Sequence, residues 1–167
     1  MSIKLHIGCA DQKLNGFVNI DVRKTTATDL VTRAWELSSF KENSVDLIYS
    51  RHMFEHLDPN DGVITLKEWY RVLKPSGTVN IVVPDLEFHC RQLLERKHDA
   101  GQLRHALAGF YGWRDESRGG SRHDDHKWGY IKETLEEIMI NTGFKHIERK
   151  LTGADTSAPH LNITATK

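Results

Sequence analysis

Two short segments near the N-terminus carry residues suited to holding a nucleotide. The first is an apolar run, Leu5 to Ala10, that ends in Gly8 and two small residues. The second ends in an acid, Asp21, which stands thirteen residues after Gly8. Small residues let a backbone approach a ligand closely, and an acid at the tip of the following strand accepts hydrogen bonds from ribose hydroxyls. The pair therefore predicts a nucleotide site.

This pair departs from the dinucleotide fingerprint in both composition and spacing. The fingerprint has G-x-G-x-x-G, followed by its acid about 20 residues further on. Here one glycine stands alone and the interval is shorter, which disfavours a nicotinamide-dependent dehydrogenase. Only residues 9–16 join the two expected strands, whereas a parallel crossover normally takes a dozen residues or more. We expect a compressed loop or a single turn there.

His52, Glu55 and His56 form a second candidate group, because they match the H-x-x-E-H pattern of inverted zincins. A peptidase of that class needs the motif inside a long helix, where both histidines share one face and bind zinc. Here the motif follows an apolar strand, and Pro59 ends any helix within a turn. We therefore expect no metal, and we expect Glu55 and His56 to form a structural polar pair.

Residues 112–127 are rich in Gly, Ser, Arg, Asp and His, a composition that predicts a loop. His123 and His126 could supply metal ligands, although a solvated loop needs no ligand to explain them. The arginines of this segment are Arg114, Arg118 and Arg122. They could bind an acidic group of a substrate, and a flexible basic loop without a target is an equal alternative.

Strands and helices alternate along most of the chain. Apolar runs predict strands over residues 3–8, 17–22, 29–34, 45–50 and 78–83, and helical spacing predicts helices over 61–73, 87–98 and 131–141. Alternating residues predict a final strand pair over 144–151 and 161–166. This order is typical of a three-layer α/β fold with a mostly parallel sheet.

Length and composition narrow the class of protein. A chain of 167 residues can form one domain with a single core, and its 23 basic residues equal its 23 acidic ones. No global charge therefore favours nucleic acid or a membrane surface. Cys9 and Cys90 lack metal-type spacing, and no apolar run is long enough to span a bilayer. We expect a cytoplasmic protein in a reducing compartment.

Three blocks, taken in order, resemble the class I S-adenosylmethionine-dependent methyltransferases. They are the run from Leu5 through Asp21, the run from Ser44 to Leu57, and the run from Glu68 to Gly77. The resemblance covers residues 4–86, and 128–144 is similar to the late helix of that family. It implies a Rossmann-like three-layer sandwich with an antiparallel edge pair, formed by residues 1–167 as a single domain, in which 99–128 form a substrate-lid loop.

The resemblance also implies S-adenosylmethionine as cofactor and S-adenosylhomocysteine as product. The cofactor-binding residues that it implies are Gly8, Cys9, Ala10, Asp21, Ala34, Trp35, Ser50 and Arg51. The first three would face the methionine part of the cofactor, and Asp21 would bind the ribose hydroxyls. Ala34 and Trp35 would lie near the adenine, while Ser50 and Arg51 would border both cofactor and substrate.

Methyl transfer requires alignment of the acceptor and, for some acceptors, removal of a proton. The candidate bases are His52, Asp85 and His126, and His126 is also the best candidate for a substrate contact in the loop. The Asp/Asn-Pro-Pro-aromatic signature of methyltransferases that act on nucleic-acid amino groups is absent after residue 50. We therefore expect a small-molecule or glycan acceptor, methylated on oxygen, with neither nucleic acid nor membrane as partner.

Two alternatives stay open. Some related methyltransferases bind a divalent metal through a Glu-x-x-Glu-His helix, and in this chain His52 stands where the first glutamate would be. The short chain and shortened first crossover also suit a degenerate methyltransferase fold that binds the cofactor or a partner without turnover. The sequence predicts neither the exact acceptor nor the oligomeric state.

Overall fold

A computed structural model describes residues 2–95, 99–114 and 122–167. Its centre is a seven-stranded sheet of order β3-β2-β1-β4-β5-β7-β6. The strands are β1 (Lys4–Ile7), β2 (Val18–Asp21), β3 (Leu30–Val31), β4 (Val45–Arg51), β5 (Leu73–Pro84), β6 (Lys145–Arg149) and β7 (His160–Thr166). The first five strands are parallel to one another, and β7 runs antiparallel to both β5 and β6.

The described helices all follow β4. They are α1 (Pro59–Val72), α2 (Leu86–Glu95), α3 (Ala100–Tyr111) and α4 (Lys132–Thr142), with short 3₁₀ turns at Phe54–His56 and Arg122–Asp124. The mostly parallel sheet with an antiparallel edge pair confirms the predicted fold class. Within the described parts of the chain, no helix has the length and apolarity needed to cross a membrane.

One face of the sheet is apolar. Successive side chains of a strand point to opposite faces, and the apolar residues of the central strands share one of them. Leu5 and Ile7 of β1 lie on this face, and Leu5 is in register with Ile48 of β4. Trp69 of α1 and Met139 of α4 belong to the same buried cluster. The two helices thus cover this face of the sheet. They pack against the parallel strands, whose carboxyl ends together form one edge of the sheet.

The other face is polar and is covered at one side by the first connection. His6 stacks on Tyr49, with ring centroids 5.5 Å apart. Asn19 beside it accepts a hydrogen bond from the Leu14 amide at 2.9 Å and donates one to the Leu14 carbonyl at 3.2 Å. Residues 9–17 form a loop without an α-helix, which confirms the compressed first crossover.

The segment 99–128 differs most from its predicted structure. It contains helix α3 where a lid loop was expected, and residues 115–121 lie outside the described part of the chain. A capping box begins the helix: the Asp99 carboxylate accepts from the Gln102 amide at 2.9 Å, and the Gln102 side chain accepts from the Asp99 amide at 3.2 Å.

Strand β5 also begins earlier than predicted, at Leu73, directly after α1. Its pairing with β4 passes from Val45–Leu73 to Leu47–Thr78, so extra residues of β5 bulge out between these pairs. Ser76 lies in this bulge with a φ of 63°. Residues 74–77, which separate the predicted helix from the predicted strand, are therefore part of β5 and form its bulge.

Candidate active site

A cavity of about 260 Å³ opens at the carboxyl ends of β1 and β2. Its lining includes Gly8, Asp21, Ala34, Trp35 and Met53. The carboxyl edge of a parallel sheet is where α/β proteins bind ligands, because loops diverge there and leave a crevice. Four of the residues predicted to hold a nucleotide therefore line one cavity.

Gly8 is required at its position by both backbone conformation and space. Its φ is 79°, in the left-handed region that glycine adopts without penalty. A Cβ at this position would lie 2.3 Å from Cγ and 2.4 Å from Cβ of Met53. The backbone of Gly8 and the side chain of Met53 therefore form one tightly fitted wall of the cavity.

The carboxylate of Asp21 is held in a fixed orientation. One oxygen accepts a hydrogen bond from the Ala10 amide at 2.8 Å, and the other accepts from the Arg23 amide at 2.9 Å. Asp21 is 8% exposed, and its carboxylate can accept more bonds than these two. Hydroxyl groups in the cavity can therefore still donate to it.

An aromatic side chain also lines this cavity. Trp35 is partly buried, and the guanidinium of Arg33 lies 5.6 Å from its ring centroid. The carbonyl of Ala34 accepts a hydrogen bond from Trp69 Nε1 at 2.9 Å, which anchors the chain after β3 to α1. A glycine cradle, a fixed carboxylate and an indole together fit an adenosyl group.

The other residues implied for the cofactor lie elsewhere. Cys9 is buried, with its sulfur 3.8 Å from Thr28 Oγ1, and burial raises the pKa of its thiol. Ser50 is fully buried, and its hydroxyl oxygen has no hydrogen-bond partner among the described residues. Arg51 donates two hydrogen bonds to the Asp155 carboxylate, at 2.9 and 3.1 Å. The cavity lining contains none of these three, and Ala10 acts through its backbone amide.

A second cavity of about 260 Å³ lies between the 3₁₀ turn that follows β4 and helices α2 and α3. Its imidazole lining is formed by His52, His56, His89, His105 and His126, and Glu55 and Trp113 also line it. His56 lines the first cavity as well, so the two cavities adjoin at this turn.

Glu55 is the buried carboxylate of the second cavity, at 1% exposure. Its Oε1 lies 3.2 Å from His52 Nδ1 and 3.9 Å from His126 Nε2. Donation from Nδ1–H of His52 leaves Nε2 of that ring able to accept a proton. The backbone carbonyl of Glu55 accepts from the amides of Lys127 and Trp128, which ties the 112–128 segment to the turn.

Two further imidazoles line this cavity, His89 on α2 and His126 in the loop before α4. His126 Nδ1 donates to the Gly109 carbonyl at 3.0 Å, and burial lowers the pKa of His126. Burial also lowers the pKa of His89 to about 4. Gly109 lets α3 pack on α2, since a Cβ there would lie 2.2 Å from the His89 ring. Sequence reasoning did not include His89, His105 or Trp113 among the site residues.

Asp85, a predicted base, does not line either of the two cavities. Its Oδ2 pairs with Arg149 at 2.7 Å, and its Oδ1 accepts from the amides of Glu87 and Phe88 at 3.1 and 3.4 Å. These contacts cap helix α2 and tie it to β6. The sequence order alone could not reveal the pairing with Arg149.

The arginines predicted to bind an anion can be located only in part. Arg114 pairs with the carboxylate of Asp125, which occupies its guanidinium. Arg118 and the side chain of Arg122 lie outside the described part of the chain. The H-x-x-E-H motif ends in a 3₁₀ turn of three residues, Phe54–His56, whereas the peptidase arrangement requires a long helix.

Comparisons with known proteins bear on the domain type and the fold. Residues 7–81 match the family model described as a methyltransferase domain. A comparison with curated protein sequences finds no significant match. Similar solved structures include a SAM-dependent methyltransferase from Archaeoglobus fulgidus, which is 19% identical, with 99% of this chain and 86% of that chain covered at a TM-score of 0.64.

Two further structures share the fold. A SAM-dependent methyltransferase from Methanosarcina mazei is 20% identical, with 98% of this chain and 91% of that chain covered at a TM-score of 0.63. The 1,6-didemethyltoxoflavin-N1-methyltransferase of Burkholderia thailandensis, solved with S-adenosylhomocysteine, is 13% identical, with 99% and 71% covered at a TM-score of 0.61. Residues 7–81 thus match a methyltransferase-domain model, and the whole chain has the fold of these SAM-dependent methyltransferases.

Proposed function

We propose that this chain transfers the methyl group of S-adenosylmethionine to an oxygen atom of a small acceptor bound in the histidine-lined cavity. The observation that carries the proposal is the shared wall of the two cavities at His56. Methyl transfer is an in-line displacement, so the acceptor atom must face the methyl group of the donor in a fixed orientation. This requires donor and acceptor sites that meet at a common boundary. Adjoining cavities of similar volume supply such a boundary.

The first cavity supplies contacts for each part of the cofactor. Asp21 would accept hydrogen bonds from the ribose hydroxyls, and the backbone at Gly8 would lie against the methionine part. The indole of Trp35 offers an apolar face to the adenine. The amide that Ala10 directs at Asp21 fixes the carboxylate before any ligand arrives, so little ordering is needed on binding.

When bound, S-adenosylmethionine supplies an electrophilic methyl group on a sulfonium sulfur. The protein must then hold the acceptor and take its proton. His52 is suited to the second task, because Nδ1–H donates to Glu55 and leaves Nε2 as the proton acceptor. Glu55 would orient the ring of His52, and His126 would contact the acceptor from the opposite side of the carboxylate.

The cavity favours an uncharged or weakly charged small acceptor. Burial lowers the pKa values of His89 and His126, so two of its imidazoles are neutral at pH 7. Neutral imidazoles offer hydrogen bonds to hydroxyl groups rather than a positive surface for phosphates. Trp113 adds a flat apolar ring against which a sugar or a small ring could pack. A small-molecule or glycan hydroxyl fits these features better than a nucleic acid.

Calorimetry combined with a transfer assay tests the proposal. S-adenosylmethionine and S-adenosylhomocysteine should each release heat on binding to the wild-type chain. Asp21→Ala should lower the affinity for each ligand at least about tenfold, which is a loss of about 1.4 kcal/mol of binding free energy. Asp29→Ala is the control, because Asp29 pairs with Lys13 and Asn19 outside the cavity. The absence of heat with either ligand would refute the cofactor assignment.

A panel of acceptors with hydroxyl, carboxyl and amino groups, incubated with tritiated S-adenosylmethionine, then tests transfer. Label should appear on oxygen acceptors, and His52→Gln should lower the rate while leaving the affinity for S-adenosylhomocysteine unchanged. If only amines became labelled, the acceptor atom would be nitrogen and not oxygen, as the name of the N1-methyltransferase of similar fold states for that enzyme. Binding without any labelled product would favour a cofactor-binding module.

A further inference from the structure

Glu55, His56 and His126 form a compact group of potential metal ligands in the wall of the second cavity. Each side chain offers one ligand atom, and these atoms lie within 4.8 Å of one another. The rings of His56 and His126 stand edge to face, with centroids 5.0 Å apart. The sequence offered these residues only as separate candidates, because His126 stands seventy positions after His56 and the fold alone brings them together.

The backbone fixes which nitrogen of each ring can bind a cation. His56 Nδ1 lies 3.0 Å from the carbonyl oxygen of Asp125, and His126 Nδ1 lies 3.0 Å from that of Gly109. A carbonyl oxygen only accepts, so each Nδ1 carries a proton and each Nε2 keeps a lone pair. Histidines that bind metals commonly donate their other N–H to a backbone carbonyl in this way.

The carboxylate of Glu55 gives a second, independent indication of a bound cation. Its side chain is buried, and its Oε2 finds no hydrogen-bond donor in the part of the chain that the structure describes. An unsatisfied carboxylate oxygen is unfavourable in a buried site unless a donor or a cation approaches it. His52 occupies Oε1 at 3.2 Å, so the cation would bind without displacing that contact.

We propose that Glu55, His56 and His126 bind one divalent cation of the borderline class, such as Zn²⁺ or Co²⁺, at the wall of the second cavity. Two imidazole nitrogens and one carboxylate oxygen suit these ions better than Mg²⁺ or Ca²⁺, which prefer oxygen ligands. Three protein ligands leave coordination positions open toward the cavity, as in catalytic rather than structural sites.

The role of the ion, though not its binding, rests on the proposed methyl transfer. An acceptor hydroxyl in an open position would have its pKa lowered by the cation. The O–H bond would break as the proton passes to His52 Nε2, and the oxygen would keep the electron pair that attacks the methyl carbon. The C–S bond of S-adenosylmethionine would break as the O–C bond forms, and its electron pair would stay on the sulfur of the leaving S-adenosylhomocysteine. The cation would thereby both locate the acceptor oxygen and ease the loss of its proton.

Metal titration of the chain without cofactor tests the binding directly. The protein is first dialysed against a chelator and then titrated with Co²⁺, with the visible absorption of the ion as readout, and with Zn²⁺ in a calorimeter. We expect one saturable site per chain. His126→Asn and Glu55→Gln should weaken it at least about tenfold. His105→Asn is the matched control, because His105 lines the same cavity outside the group.

Several results would overturn the proposal. These are no saturable binding of either ion, equal binding by wild type and His126→Asn, or an equal loss in His105→Asn. If Glu55→Gln fails to fold, as judged by circular dichroism, His56→Asn takes its place. S-adenosylhomocysteine titrations run separately keep the two proposals apart: cofactor binding without Co²⁺ binding refutes the metal site alone, and the reverse refutes the cofactor assignment alone.

Discussion

The substitution Gly8→Ala isolates the tight wall between the β1 end and the cofactor cavity. Gly8 has a φ of 79° and Gly16 has a φ of 82°, so an added Cβ meets the same backbone penalty at both positions, about 1–2 kcal/mol. Nothing lies within 4 Å of a Cβ at Gly16, whereas a Cβ at Gly8 would lie 2.3 Å from Met53 Cγ. Gly16→Ala is therefore a matched control.

The overlap at Gly8 involves the first two carbon atoms of the Met53 side chain, so rotation of the thioether cannot relieve it. Overpacking of this kind costs about 1–3 kcal/mol. Urea denaturation should therefore show that Gly8→Ala loses about 1–3 kcal/mol more free energy of unfolding than Gly16→Ala. Met53→Ala in the Gly8→Ala background should recover much of that difference.

Cofactor affinity should separate the same two variants. Met53 lines the cavity, so its displacement should weaken binding of S-adenosylhomocysteine at least about tenfold in Gly8→Ala, while Gly16→Ala binds as the wild type does. Calorimetry measures both affinities. Equal losses of stability and affinity in the two variants would refute the steric reasoning and the position of the cofactor.

Three further predictions concern the helices around the acceptor cavity. Gly109→Ala should destabilise the chain by about 1–3 kcal/mol through overlap with the His89 ring, whereas Gly101→Ala, near the start of the same helix, should change stability by less than about 1 kcal/mol in thermal melts. Arg149→Ala leaves the buried carboxylate of Asp85 without its ion-pair partner, so urea denaturation should show a loss of about 2–3 kcal/mol with cofactor affinity unchanged. The pKa of His89 is about 4 in the folded chain and 6.5 when unfolded, so the unfolded state binds the proton first as pH falls. Stability should therefore drop by up to about 3 kcal/mol between pH 6.5 and 4, and His89→Gln should show a shallower dependence, while equal slopes in the two proteins would contradict the assignment.

Local pattern was enough to predict that Gly8 and Asp21 lie together, and both line the first cavity. Gly8 and Asp21 end consecutive strands, and parallel strands place their carboxyl ends together whatever lies between them. The compressed first crossover was predicted because residues 9–16 are fewer than the dozen or more that a parallel crossover normally takes. The helix that the sequence analysis did not predict is α3, because residues 99–128 were expected to form a lid loop. Asp99 and Gln102 have the spacing of a capping box, which is a signal for the start of a helix.

The histidine-lined second cavity could not be predicted in the same way. Its imidazoles come from the turn after β4, from α2 and α3, and from the loop before α4, so only tertiary packing brings them together. Asp85 illustrates the opposite error. It stands at the tip of a central strand, as a catalytic base could, but Arg149 on β6 and the first amides of α2 satisfy its carboxylate.

A crystal structure of the chain with S-adenosylhomocysteine is the sharpest test of the proposed cofactor site. We expect the ribose hydroxyls within hydrogen-bond distance of the Asp21 carboxylate, the adenine beside Trp35, and the sulfur at His56, facing the histidine-lined cavity. A ligand bound elsewhere, or a ribose more than about 3.5 Å from the nearest oxygen of Asp21, would contradict it.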